Sequence, residues 1–213
     1  MNYSEVVSDL DRQRIDRALN EITKYADAFQ RKLARFISRT ELVVFVGPVS
    51  VVHGSGSVQL IEPEGARRAL KSGILTLSDA SRFVRLNIAR ETIDTGGQRG
   101  IEGTLVHEGK HAMDFAKLLA SASEGNPDRF FNPNAFQKEY SAHLTSAFYL
   151  MRRGGEYTRE GLSLGLLKET DGHISVDPIG IRRRLKRNYR LSPENPGALL
   201  DTVANPRIVP AIR

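Results

Sequence analysis

Two of the five histidines stand four residues apart, with a glutamate directly after the first: His107-Glu108-Gly109-Lys110-His111. On a helix, residues at i and i+4 lie one above the other on the same face. Imidazoles placed this way can direct ring nitrogens at one ion about 2.0–2.1 Å from each, as zinc requires. Glu108 then projects beside that ion, where it can take a proton from a metal-bound water. A chain with this histidine and glutamate content carries such a spacing by accident about once in a hundred, so its surroundings matter. Leu105, Ala112, Ala116 and Leu119 share one helical face, whereas His107, His111 and Asp114 share another. This predicts a helix with one side in the core and the histidines gathered elsewhere. Gly103 and Gly109 weaken such a helix by ~1 kcal/mol each relative to alanine, so close backbone approach at a site or helix–helix packing should explain them.

Catalytic zinc takes three protein ligands and keeps a fourth position open. A second helix is predicted to start at Asn132-Pro133 and to stop at Gly154-Gly155, with Phe136, Tyr140, Ala147 and Leu150 turned inward. Glu139 falls within that apolar stripe. A carboxylate there needs a partner, since ionisation on an apolar face costs several kcal/mol, and a zinc ion would serve. The 28 residues from His111 to Glu139 suffice for a loop and a returning helix. His143 lies one turn beyond Glu139 as a second candidate near the ion, as a supporting group or a replacement ligand, with a satisfied core histidine as the simpler reading. Asp114 could accept a proton from a ligand imidazole or stand exposed near the helix end. His53 and His173 occupy turn-like contexts and are expected at the surface. Tyr157, His173 and Tyr189 are candidates to polarise a substrate carbonyl in the transition state, with Tyr189 preferred.

The His107–Asp114 segment followed by Glu139-Tyr140-Ser141-Ala142 resembles the zincin metallopeptidases. It matches their gluzincin pattern of HExxH plus a glutamate on a later helix, and looks most like compact metallopeptidase domains among bacterial effector and toxin proteins. The resemblance covers residues 83 to 153. It implies a Zn²⁺ site of His107, His111 and Glu139, Glu108 as general base, and hydrolysis of a protein or peptide substrate. It also implies that the strand from Phe83 to Ile88 is the sheet edge along which the substrate backbone lies. The chain departs from the thermolysin-type surround, with Lys138-Glu139-Tyr140-Ser141-Ala142-His143-Leu144 in its place.

Several elements must hold these residues. Ile15, Leu19, Ile22, Ala26, Phe29, Leu33 and Phe36 recur at helical steps, so residues 1–40 are expected to carry one long amphipathic helix that starts after Ser8. Residues 41–92 read as the sheet region. Leu42–Val46 is a strand, and Val49–Val52 and Ser57–Ile61 read as hairpin strands around the His53-Gly54-Ser55-Gly56 turn. Gly65–Lys71 is a short helix, Ile74–Leu77 a further strand, and Phe83–Arg90 a half-buried one. Asp94–Gly100 reads as a loop, residues 98–155 as the active-site helices, and 156–213 as a basic C-terminal region whose tail after Pro193 lies irregularly on the surface. The expected fold is a single α+β, zincin-like domain over residues 1–213, with a small mixed sheet.

Composition narrows the classes. With 213 residues, 40% of them hydrophobic, a packed core is within reach. Cysteine is absent, which excludes disulfide scaffolds, Cys-ligated zinc and thiol nucleophiles. No apolar run approaches the ~20 residues of a membrane span, and the acidic-polar start does not read as a signal peptide. A soluble protein is therefore expected, cytoplasmic or exported without a signal. Lys and Arg exceed Asp and Glu by 31 to 25, a net charge of +6. The excess is densest from Arg182 to Arg190. This run is expected to be a solvated face or one that docks an acidic substrate. Two other functions compete with peptide hydrolysis: a non-catalytic protein that uses Arg182–Arg190 to bind nucleic acid or an acidic partner, and a zinc amidase acting on peptidoglycan.

Overall fold

A computed structural model describes residues 1–25, 27–73, 75–123 and 131–200. After the short strand β1 (Asn2–Tyr3), the N-terminal helical stretch divides into α1 (Asp9–Tyr25) and α2 (Ala28–Arg39). Ser8 marks the start as expected, since its hydroxyl accepts from the Asp11 backbone N–H at 3.2 Å. The single long helix does not form, because Asp27 begins a new one. Its carboxylate accepts from the Gln30 backbone N–H while the Gln30 side chain reaches back to the Asp27 N–H. That reciprocal cap satisfies donors that a continuous helix would have bonded internally. Phe29 is 38% exposed, whereas Ile15, Leu19, Ile22, Leu33 and Phe36 are buried; Ala26 lies outside the described residues.

The next elements are β2 (Val43–Gly47), the single helical turn α3 (Val49–Val52), and β3 (Gly56–Leu60). Then come α4 (Pro63–Ser72), α5 (Leu77–Ser81), β4 (Val84–Ala89) and α6 (Arg90–Asp94). Three local expectations fail here. Val49–Val52 coils instead of forming a hairpin strand, because Pro48 precedes it and its carbonyl accepts from Val51 and Val52. Leu77 opens a helix capped by Thr76 and Asp79, and Ile74 lies outside the described residues. Asp94 and Gly97–Gly100, expected in a loop, lie in helices.

The sheet order is β1-β2-β4-β3, with β1, β2 and β4 parallel and β3 antiparallel to β4. Leu86 pairs with Val44 on one side and Val58 on the other. β4 is therefore internal, and every residue except Arg85 is buried. This corrects two expectations: the Phe83–Ile88 strand is not half-buried, and it is not the sheet edge. The alternation that suggested an exposed face came from Asn87 and Arg85; the Asn87 amide is tied to Ser57 Oγ at 3.1 Å, and Arg85 is bonded to Gln59. The edge beside the candidate site is β3.

Helix α7 (Gly97–Ala122) runs through the core against the sheet, α1, α2 and α8 (Ala135–Arg153). Leu105, Ala112, Ala116 and Leu119 are buried, as their spacing predicts. Gly109 permits the approach of α2, since a β-carbon there would stand 2.6 Å from Ile37 Cδ1. Nothing crowds Gly103, which faces the cleft described below. The α8 cap is Asn134 rather than Asn132. After α9 (Glu156–Ser163), the hairpin of β5 (Leu167–Thr170) and β6 (His173–Val176), and α10 (Pro178–Tyr189), the chain returns to α8. Pro196 and Ala198 carbonyls accept from Phe136 and Ala135 N–H groups, and Leu200 is buried. That segment is docked rather than irregular; residues 201–213 lie outside the described ones. The fold is thus α+β, mostly helical, with a small mixed sheet. Among the described residues, no helix is long and apolar enough to cross a membrane.

A buried polar network ties α7 to α8. Glu102 is fully buried and accepts from Tyr149 Oη at 2.6 Å, Gln98 Nε2 at 2.9 Å and Arg153 Nε at 3.2 Å. Glu102→Ala removes these acceptors and is expected to destabilise the protein by about 3–5 kcal/mol, measured by urea unfolding. A loss below ~1 kcal/mol would show that the network does not hold the helices together.

Candidate metal centre

Helix α7 presents His107 and His111 one turn apart, with their Nε2 atoms 3.2 Å from each other and their rings edge-to-face. Helix α8 brings Glu139 to both. Its Oε2 lies 3.7 Å from His107 Nε2 and 3.5 Å from His111 Nε2. Ligands at 2.0–2.1 Å in a tetrahedron stand roughly 3.3 Å from one another, so this triangle is of the size zinc takes. His143 joins the group: potential ligand atoms of His107, Glu139 and His143 all lie within 4.8 Å of one another. The His143 ring is 4.7 Å from that of His107, and its Nε2 is buried without a partner. The spacing of His143 from Glu139, four residues on one helix, repeats that of the α7 pair and was the signal for its place here.

Protonation suits coordination. Burial pushes His111 down to about 4 from an ordinary value of 6.5, despite the opposing pull of Glu139. Burial also pushes His143 down to about 3, helped by the nearby His107 and Arg184 charges. Glu139 shows the reverse balance: burial would raise its carboxyl, but the facing imidazoles of His107 and His111 and the Lys138 ammonium hold it well below the usual carboxylate range. Neutral imidazoles and an anionic carboxylate are the forms that bind metal. Glu108 sits half-buried beside them, its carboxyl raised chiefly by burial.

The centre opens onto a cleft of about 800 Å³. One wall begins at Gly56 on β3. A β-carbon there would meet Thr104 Cγ2 at 2.6 Å and Glu108 Cγ at 2.7 Å, so glycine lets the edge strand lie directly over the motif helix. Helix α10 also borders the cleft, where the Tyr189 ring stands edge-on to His143 at 5.8 Å. Burial and the carboxylates of Glu139 and Glu108 raise the Tyr189 phenol, keeping it a donor. Of the three carbonyl-polarising candidates, Tyr189 alone lines the cleft. Tyr157 instead lies under the Arg153 guanidinium and edge-to-face with Tyr149 at the Glu102 network, and His173 is exposed on the hairpin. His53, expected at the surface, is exposed at the cleft rim. Asp114 does not reach a ligand imidazole: it is buried in an ion pair with Lys110, and His111 Nδ1 has no partner.

The depressed histidines make stability pH-dependent. Between pH 6.5 and about 4 the unfolded chain binds protons at His111 and His143 that the folded chain refuses, so acidification favours unfolding. Glu139 adds to this below its ordinary value, because the fold holds it ionised. Metal-chelated protein is expected to lose on the order of several kcal/mol of stability from pH 7 to pH 4, read as a falling urea midpoint. A midpoint constant over that range would contradict the burial of these rings in neutral form.

No family model, curated protein or solved structure matches this chain, so its function has to be argued from the geometry of this centre.

Proposed function

We propose that the protein is a zinc-dependent metallopeptidase in which His107, His111 and Glu139 hold the ion and Glu108 is the general base. The observation that carries this reading is the triangle of two imidazole nitrogens and one carboxylate oxygen, 3.2–3.7 Å apart, supplied by two helices and standing beside the raised carboxyl of Glu108. Zinc in such a site supplies Lewis acidity toward a water and a carbonyl oxygen. Glu108 takes the proton of the attacking water and passes it to the departing amine. Tyr189, held as a phenol, donates to the oxygen that gains charge. The substrate backbone lies along β3, the antiparallel edge strand whose first residue touches the motif helix, using its main-chain hydrogen-bonding groups.

One observation favours a second reading of the ligands. His107, Glu139 and His143 also cluster, which would leave His111 outside the coordination sphere. The shorter separations of the His107–His111–Glu139 triangle favour the first set, with His143 beside it.

The test is elemental analysis of purified protein together with hydrolysis of casein and of purified cell wall, each with and without chelator. One zinc per chain and chelator-sensitive cleavage of casein are expected. Cleavage of cell wall alone would make the enzyme an amidase of peptidoglycan. Absence of bound metal, with no hydrolysis after zinc addition, would overturn the proposal and leave a binding role for the basic α10.

A further inference from the structure

The cleft is lined by both signs of charge, with Glu91, Glu108, Glu139 and Glu160 among its walls, yet among the described residues one of its cations has no carboxylate beside it. Three cationic side chains line it: Lys138, Arg99 and Arg184. Lys138 is paired with Glu139 at 3.3 Å, and Arg99 with Glu160 at 3.2 Å. Arg184 has no carboxylate within 4.0 Å among the described residues. Among the described residues its Nε is buried without a partner, and the acceptor it reaches is the Leu164 carbonyl, 3.4 Å from Nη1. The side chain lines the same cleft as Glu139, His143 and Tyr189. A guanidinium offers five donors in a planar fork, and leaving them unsatisfied in a half-buried place is costly unless an anion arrives to take them.

A second observation points the same way. Arg184 is one of six basic residues between Arg182 and Arg190, and no acidic residue lies in that span. Arg182, Arg183, Lys186, Arg187 and Arg190 are exposed, so the helix that contributes Arg184 to the cleft also carries a solvated basic surface. Such a surface attracts acidic ligands, while the half-buried guanidinium can read one carboxylate at a defined position.

Resting on the metallopeptidase reading, we propose that Arg184 is the specificity-determining residue of the cleft and that the substrate is an acidic peptide, with an Asp or Glu side chain within a few residues of the scissile bond. Leu164 and Leu166 line the cleft with Arg184 and would hold the methylenes of that side chain.

The test is binding first, so that it depends on neither metal nor turnover. Fluorescein-labelled decapeptides carrying Asp or Glu at one central position, and the same peptides with Asn or Gln there, are titrated against Glu108→Gln protein by anisotropy. Acidic peptides are expected to bind at least tenfold more tightly, as a charge-assisted bond requires. Adding Arg184→Met should abolish that difference. Adding Arg183→Met, which removes an exposed charge from the same helix, should weaken both peptide sets alike and keep their ratio. Equal binding of the two sets, no binding of either, or equal loss of discrimination in both Arg variants would overturn the proposal. Hydrolysis by the unmodified protein separates the two readings. Cleavage without acidic preference sinks the role of Arg184 and leaves the peptidase standing. Acidic preference in binding without any cleavage does the opposite.

Discussion

Glu108→Gln is expected to keep one zinc per chain and to lose hydrolysis by roughly 10²–10⁴-fold, the usual contribution of a positioned general base. The amide has the shape of the carboxylate, so it fits beneath Gly56, whose position leaves 2.7 Å between a would-be β-carbon and Glu108 Cγ. It cannot take a proton. Folding should not suffer, because burial already disfavours the charged form of Glu108 and a neutral group in that place escapes the penalty. A melting temperature equal to or above that of the parent, with activity gone, is therefore the expected pair of results. Loss of zinc in this variant would mean that Glu108 is itself a ligand. Undiminished turnover would remove it from the reaction.

The second large effect concerns the ligands. Zinc at 1,000 times its dissociation constant should stabilise the native state by about 4 kcal/mol. For a chain of this size each kcal/mol moves the melting temperature by about 2–4 °C, so the rise should be roughly 8–16 °C. His111→Ala and Glu139→Gln are each expected to remove that zinc-dependent rise and the bound metal, whatever they do to the metal-free protein. The comparison with and without zinc isolates coordination from the cavity that truncating a buried ring leaves. His143→Ala is expected to retain metal and the thermal shift while activity falls. If instead His143→Ala loses the metal and His111→Ala keeps it, the ligand set is His107, Glu139 and His143.

Much of this arrangement was legible in the residue order. Helical period placed Leu105, Ala112, Ala116 and Leu119 in the core, and the i, i+4 rule placed His107 and His111 on a common face, because both depend only on the geometry of one helix. Glu139 could be singled out because a carboxylate in an apolar stripe demands a partner. Where reading failed, a competing local bond or a non-local neighbour was the cause. Asp27 and Gln30 cap each other and split the N-terminal helix, although the apolar period runs on across the break. Pro48 sets Val49–Val52 coiling although their side chains favour strand. Alternation in Phe83–Arg90 suggested a half-buried strand, but β3 pairs alongside, and Asn87 and Arg85 bond to its Ser57 and Gln59, a pairing that local pattern does not encode.

The grouping of two imidazoles and the Glu108 carboxyl is written in the amino-acid order, since covalent spacing along one helix suffices for it, whereas Glu139 is brought in by packing of a second helix. Which strand borders the cleft, that His143 and Tyr189 line it, that Asp114 serves Lys110 instead of a ligand, and that Arg184 alone of its basic run is left facing inward without an anion were settled by folding. Each depends on which surfaces meet when apolar faces are buried together, and that is a property of the whole chain rather than of any segment.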